Sequence, residues 1–103
     1  MEVTLFLEYK QASLTIDLSA YADKIIERMA STLQCDFTDG HLHRFYLHSN
    51  KMRQVMTALT AVKEVSEMFE RINVSMRRLD SGFNLSHGIC TAKSSVFTID
   101  RRS

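Results

Sequence analysis

Residues 3–9 alternate between two sides, with Val3, Leu5, Leu7 and Tyr9 on one and Thr4, Phe6 and Glu8 on the other. Residues 14–18 repeat the pattern, with Leu14, Ile16 and Leu18 against Thr15 and Asp17. Successive side chains of a strand point to opposite faces, so two such neighbouring runs predict an antiparallel hairpin. Lys10-Gln11-Ala12-Ser13 separates them and contains neither Gly nor Asn. A two-residue turn needs a positive φ that such residues adopt only at a cost, so a four-residue loop is expected. That loop pairs Tyr9 with Leu14 and Leu7 with Ile16, which keeps the aliphatic residues on one face.

The period then changes. Ala22, Ile25, Ile26, Met29 and Leu33 recur at helical spacing, while Asp23, Lys24, Glu27 and Arg28 fall on the other side. Ser19 is placed to cap this helix, and Asp23 suits the positive end of its dipole. The helix is expected to end near Gln34, followed by a loop over residues 36–40. Residues 41–48 alternate again, with Phe45 and Leu47 on one face and Leu42, Arg44 and Tyr46 on the other.

Ser49 or Asn50 opens a second helical pattern. Its apolar stripe is Met52, Val55, Leu59, Val62, Val65, Phe69 and Ile72, opposite Arg53, Thr57, Thr60, Glu64, Glu67 and Arg71. Unbroken, this helix would be roughly 33 Å long. Short strands are expected over residues 74–79 and 83–85, around a turn at 80–82, and a last strand over 96–99. The whole reads as one α+β domain spanning residues 1–103. It has two layers, a mostly antiparallel sheet (β-β-α-β-α-β-β) and two helices packed on one face.

Composition supports a self-sufficient domain. The chain has 103 residues, 45% of them hydrophobic, and no proline. That is enough to build a core without a metal or a disulfide. The net charge of +1 excludes a strongly basic or strongly acidic protein. Its distribution is uneven: residues 1–40 carry three basic and seven acidic side chains, and residues 41–103 ten and five. Two cysteines make no disulfide framework, and no signal peptide or membrane-length apolar run is visible. A cytoplasmic protein is expected.

Three sets of residues could carry chemistry. The first is His41, His43, His48, His87, Cys35 and Cys90. His41 and His43 share a strand face, and His87 and Cys90 have an H-x-x-C spacing. Zinc takes such ligands, but the short-range ligand pairs of a zinc finger are missing, so no metal or other cofactor is assigned. A histidine with Cys35 or Cys90 also supplies two parts of a nucleophilic site. No G-x-S-x-G, H-E-x-x-H or glycine-rich phosphate loop accompanies them, and a catalytic role is not assigned.

The second set is basic: Arg44, Lys51, Arg53, Arg77, Arg78, Lys93, Arg101 and Arg102, with Tyr46 and Phe83 interleaved. Arginines among aromatics can bind single-stranded nucleic acid. The expected strand over 74–79 would send Arg77 and Arg78 to opposite faces, which weakens that patch.

The third set is apolar. Met52, Met56, Met68 and Met76 cluster in or beside the second helix, and Met-rich surfaces suit protein docking. Met56 and Met68 flank the main stripe, and Ala58 and Ala61 keep its margin small. The first expectation is therefore a non-enzymatic protein-binding module, a small regulator or inhibitor of the kind phages and plasmids use. Another protein is its partner and a homodimer is expected, with Met52, Met56 and Met68 in the contact. The alternative is a nucleic-acid-binding regulator using Arg77, Arg78, Lys93, Arg101 and Arg102. A small hydrolase or zinc protein ranks third.

Overall fold

The last strand of the chain lies inside the sheet, between the first and the third. The computed structural model describes residues 1–86, 91–92 and 94–102. Its elements are β1 (Glu2–Tyr9), β2 (Ala12–Asp17), α1 (Ala22–Leu33), β3 (Leu42–Leu47), α2 (Ser49–Thr60), α3 (Lys63–Arg78) and β4 (Ser94–Asp100). Every strand pairing is antiparallel, in the order β2-β1-β4-β3. This is the two-layer α+β fold that the alternation implies, with β2 and β3 as its edges.

Register turns that alternation into one apolar face. Ile16, Leu5, Phe97 and Phe45 form a row across the sheet, and Leu14, Leu7, Ser95 and Leu47 form the next. Leu5, Leu7 and Phe97 are wholly buried. Ile25 and Met29 of α1, Val55, Met56 and Leu59 of α2, and Val65 and Phe69 of α3 join them in one core. The other face carries Phe6, Val96, Arg44 and Tyr46 and stays open, with Tyr46 71% exposed.

Four local features differ from the expectations. First, the hairpin turn has two residues, so Tyr9 pairs with Ala12, Leu7 with Leu14 and Leu5 with Ile16. Lys10 takes the left-handed backbone (φ 56°) that a short turn demands, and its ammonium lies 5.3 Å from the centre of the Tyr9 ring. The shift is by two residues, so the aliphatics keep their face. Second, Ser19 does not cap α1. Its hydroxyl accepts the Val3 N–H at 3.0 Å, and its own N–H donates to the Asp17 carboxylate at 2.9 Å.

Third, the long helix is two. Val62 leaves helical geometry (φ −88°, ψ 119°) and starts α3. The buried Thr60 hydroxyl donates back to the carbonyls of Met56 and Thr57, a bond that competes with the helix ladder. Fourth, residues 74–78 continue α3 and are not a strand. Glu64 in its first turn and Arg77 and Arg78 in its last suit the two ends of its dipole. With 16 residues α3 is roughly 24 Å long.

Residues 83–85, expected as a strand, form none either, and the side chains of Asn73 and Thr91 hold them. Asn73 Nδ2 donates to the Leu85 carbonyl at 3.0 Å, and Asn73 Oδ1 accepts the Leu85 N–H. Phe83 and Leu85 are thereby buried. Gly82 (φ 83°) passes so close to Tyr9 that a Cβ would lie 2.7 Å from its ring. Asn73→Ala orphans both backbone groups of Leu85 and is expected to cost about 1–3 kcal/mol. Urea unfolding measures this, and a loss of only a few tenths would show that the amide bridge is dispensable.

Candidate protein interface

The methionines separate into two groups. Met52 and Met56 lie in the core, at 6% and 0% exposure, so neither is available to a partner. The reason is the place of α2, which packs on α1 on one side and is followed by α3 on the other. Its second apolar side therefore meets another helix of the same chain. Ala58 and Ala61 line a different groove between α1 and α2, together with Arg28, Lys51 and Arg53. Met68 and Met76 are only half-buried.

Met68 and Met76 line a groove of about 390 Å3 between α3 and the edge strand β2. Its apolar lining adds Ile72 from α3 and Leu14 and Ile16 from β2, and Asp17, Arg71 and Ser75 also border it. Periodicity explains the lining. Residues 68, 72 and 76 follow one another at helical steps of four, and 14 and 16 share the inner face of β2. Groove and open strand edge lie side by side, so a docked chain meets both apolar side chains and free main-chain groups.

The histidine and cysteine residues assemble in part. Cys35 Sγ is 3.6 Å from His43 Nδ1, and His43 Nε2 is 2.9 Å from Asp39 Oδ1. Phe37 meets the His43 ring edge-on at 5.2 Å and Phe45 stacks on it at 6.5 Å. Asp39 was missed in the sequence, because it stands in a loop. An Nε2–H given to Asp39 leaves the Nδ1 lone pair toward the thiol, an arrangement that resembles a nucleophile with base and orienting acid. The local field works against a thiolate. Burial, Asp39 and Asp36 raise the Cys35 pKa. The Cys35 N–H bonds the Ala30 carbonyl, which places the residue at the negative end of α1. The Asp39 carboxyl is itself held below its ordinary range by the His43 ring and the His41 N–H. Cys35 is therefore expected to alkylate more slowly at neutral pH than an unhindered peptide cysteine. Iodoacetamide labelling mapped by mass spectrometry checks this, and an equal or faster rate would count against a protonated thiol.

His41 is exposed, with Nδ1 3.9 Å from Asp39, and His48 is exposed beyond β3. Among the described residues no group of three His, Cys, Asp or Glu side chains is arranged to hold a metal ion. His87, Cys90 and Lys93 lie outside the described residues.

The basic residues do not form one patch among the described residues. Arg77 and Arg78 are both exposed in the last turn of α3, and not on opposite faces of a strand. Arg101 donates to the Phe37 carbonyl at 2.6 Å. Arg102 grips Asp100 through two bonds of 3.0 Å. Both tail arginines thus have partners within the fold. No helix among the described residues is long and apolar enough to cross a membrane. No known protein family, characterised protein or solved structure matches the chain.

Proposed function

We propose that this chain is a non-enzymatic protein-binding module, a small cytoplasmic regulator or inhibitor that acts by docking on another protein. The observation that carries the reading is the groove whose half-buried Leu14, Met68, Ile72 and Met76 lie beside an open strand edge. Flexible methionines adapt to an incoming apolar chain, and a free edge supplies main-chain hydrogen bonds. Burial and the nearby Asp39 and Asp36 carboxylates disfavour a Cys35 thiolate, which speaks against nucleophilic catalysis at the Cys35–His43–Asp39 cluster.

Affinity capture from the native cell, with mass spectrometry and nucleic-acid detection, is the test. Bound protein is expected with the unsubstituted chain, lost with Met68→Glu, and retained with Arg77→Glu and Arg78→Glu together. Nucleic acid recovered instead, and lost with the arginine pair, would favour the nucleic-acid reading.

A further inference from the structure

We infer that the groove between β2 and α3 is filled by a second copy of this chain, joined edge to edge through β2 about a two-fold axis. This rests on the reading of the groove as a protein interface and names its occupant, so the protein captured through this groove is expected to be the chain itself.

The argument starts from the backbone of β2. In an antiparallel pair, residues alternate between those that bond the neighbour and those whose N–H and C=O point away. Tyr9 and Ala12 close the two-residue turn as a bonded pair, so Leu14 and Ile16 also bond β1. The Leu18 N–H donating to the Val3 carbonyl at 2.7 Å continues the same alternation. Ser13, Thr15 and Asp17 therefore present their main-chain groups to the open edge.

A two-fold pairing of that edge opposes one residue to its own copy. Centred on Asp17, it sets two carboxylates face to face. Centred on Ser13 or Leu14, it carries Asp17 past the end of the partner strand, and centred on Ile16 it does the same to Ser13. Centred on Thr15, it places Thr15 against its copy and Ser13 against the partner's Asp17. Each opposed pair then exchanges N–H···O bonds in both directions, and a hydroxyl meets each carboxylate. On the helix side Leu14 falls opposite the partner's Ile16. This register satisfies every outward group and opposes no like charges.

Apart from its short length and Asp17 at its end, β2 lacks the usual protections of an edge. It has no proline and no lysine, and its pairing with β1 is one-to-one without a bulge. β3, the other edge, carries Arg44 in mid-strand. Six residues make a strand only roughly 20 Å long. Pairing alone falls short of the roughly 1,200 Å2 that a stable interface buries, so the Met68, Ile72 and Met76 margins must close as well. The two-fold axis brings them to the same joint.

Light scattering over a concentration series tests the state, and cross-linking tests the register. The unsubstituted chain is expected to be a dimer at high micromolar concentration. Thr15→Pro removes an N–H that β1 does not use, and should weaken the dimer at least ~10-fold with an unchanged circular dichroism spectrum. Thr15→Cys should be joined to its own copy by a short thiol-specific bifunctional reagent, because bonded antiparallel pairs have Cα atoms about 5.5 Å apart. Tyr46→Cys, on the open face, should not. A mass of one chain at high micromolar concentration overturns the inference, as does a dimer that Thr15→Cys fails to cross-link. If the chain is a monomer but Met68→Glu still abolishes capture of a different protein, the groove remains an interface and only its occupant is wrong.

Discussion

Met56→Glu is expected to unfold the domain. Met56 is wholly buried on α2, in the core that Leu5, Leu7 and Phe97 form with the helices. None of the ion pairs among the described residues lies in this core, so a carboxylate there would have no cationic partner. Burying an unpaired charge costs several kcal/mol, against a total stability on the order of 5–15 kcal/mol. The milder Met56→Ala should cost about 2–5 kcal/mol through its cavity. Far- and near-ultraviolet circular dichroism read the first and urea titration the second. A folded Met56→Glu protein with near-native melting would place this side chain at the surface and overturn the packing of α2.

Phe97→Ala is expected to be the most damaging truncation in the sheet. Phe97 sits on β4, directly between Leu5 of β1 and Phe45 of β3, and is wholly buried. The loss should be about 3–5 kcal/mol, because the cavity opens in the middle of the buried face, between Leu5 and Phe45. Tyr46→Ala, on the neighbouring strand but the open face, should cost less than about 1 kcal/mol. Chemical denaturation of the two variants side by side makes the comparison. Equal losses would mean that the two faces of the sheet are buried alike.

Where the period is strict, sequence and structure agree. Val3, Leu5 and Leu7 face the helices as their alternation requires, and Ile25 and Met29 do so from α1. Gln34, in the left-handed conformation, ends α1 where the apolar pattern stops. The hairpin register was not legible, because it depends on Lys10 accepting a positive φ that its side chain does not advertise. The break at Val62 was hidden for a related reason. Neither Gly nor Pro marks it, and the stripe of Met52, Val55, Leu59, Val62 and Val65 runs straight through. The signals that do mark it are weaker: the β-branched Thr60 and Val62, and the charges Glu64, Arg77 and Arg78 at the ends of α3.

Candidate chemistry divides in the same way. That Met68 flanks the main stripe follows from helical spacing alone, whereas its place beside β2 does not, since residues 14 and 68 are far apart in the chain. Met56 occupies a flanking position by the same spacing and is nevertheless buried, because α2 packs between other helices of the same chain and the sheet. Cys35, Asp39 and His43 lie within nine residues, yet only the turn at residues 36–40 swings Asp39 back onto the His43 ring.

The sequence by itself determined the fold class, the inward face of each strand and the apolar side of α1, because alternation and helical period act over a few residues. The tertiary structure alone decided the order β2-β1-β4-β3, the division into α2 and α3, and which methionines are core and which line a groove. Those outcomes depend on contacts between distant segments, whose energies no local pattern records.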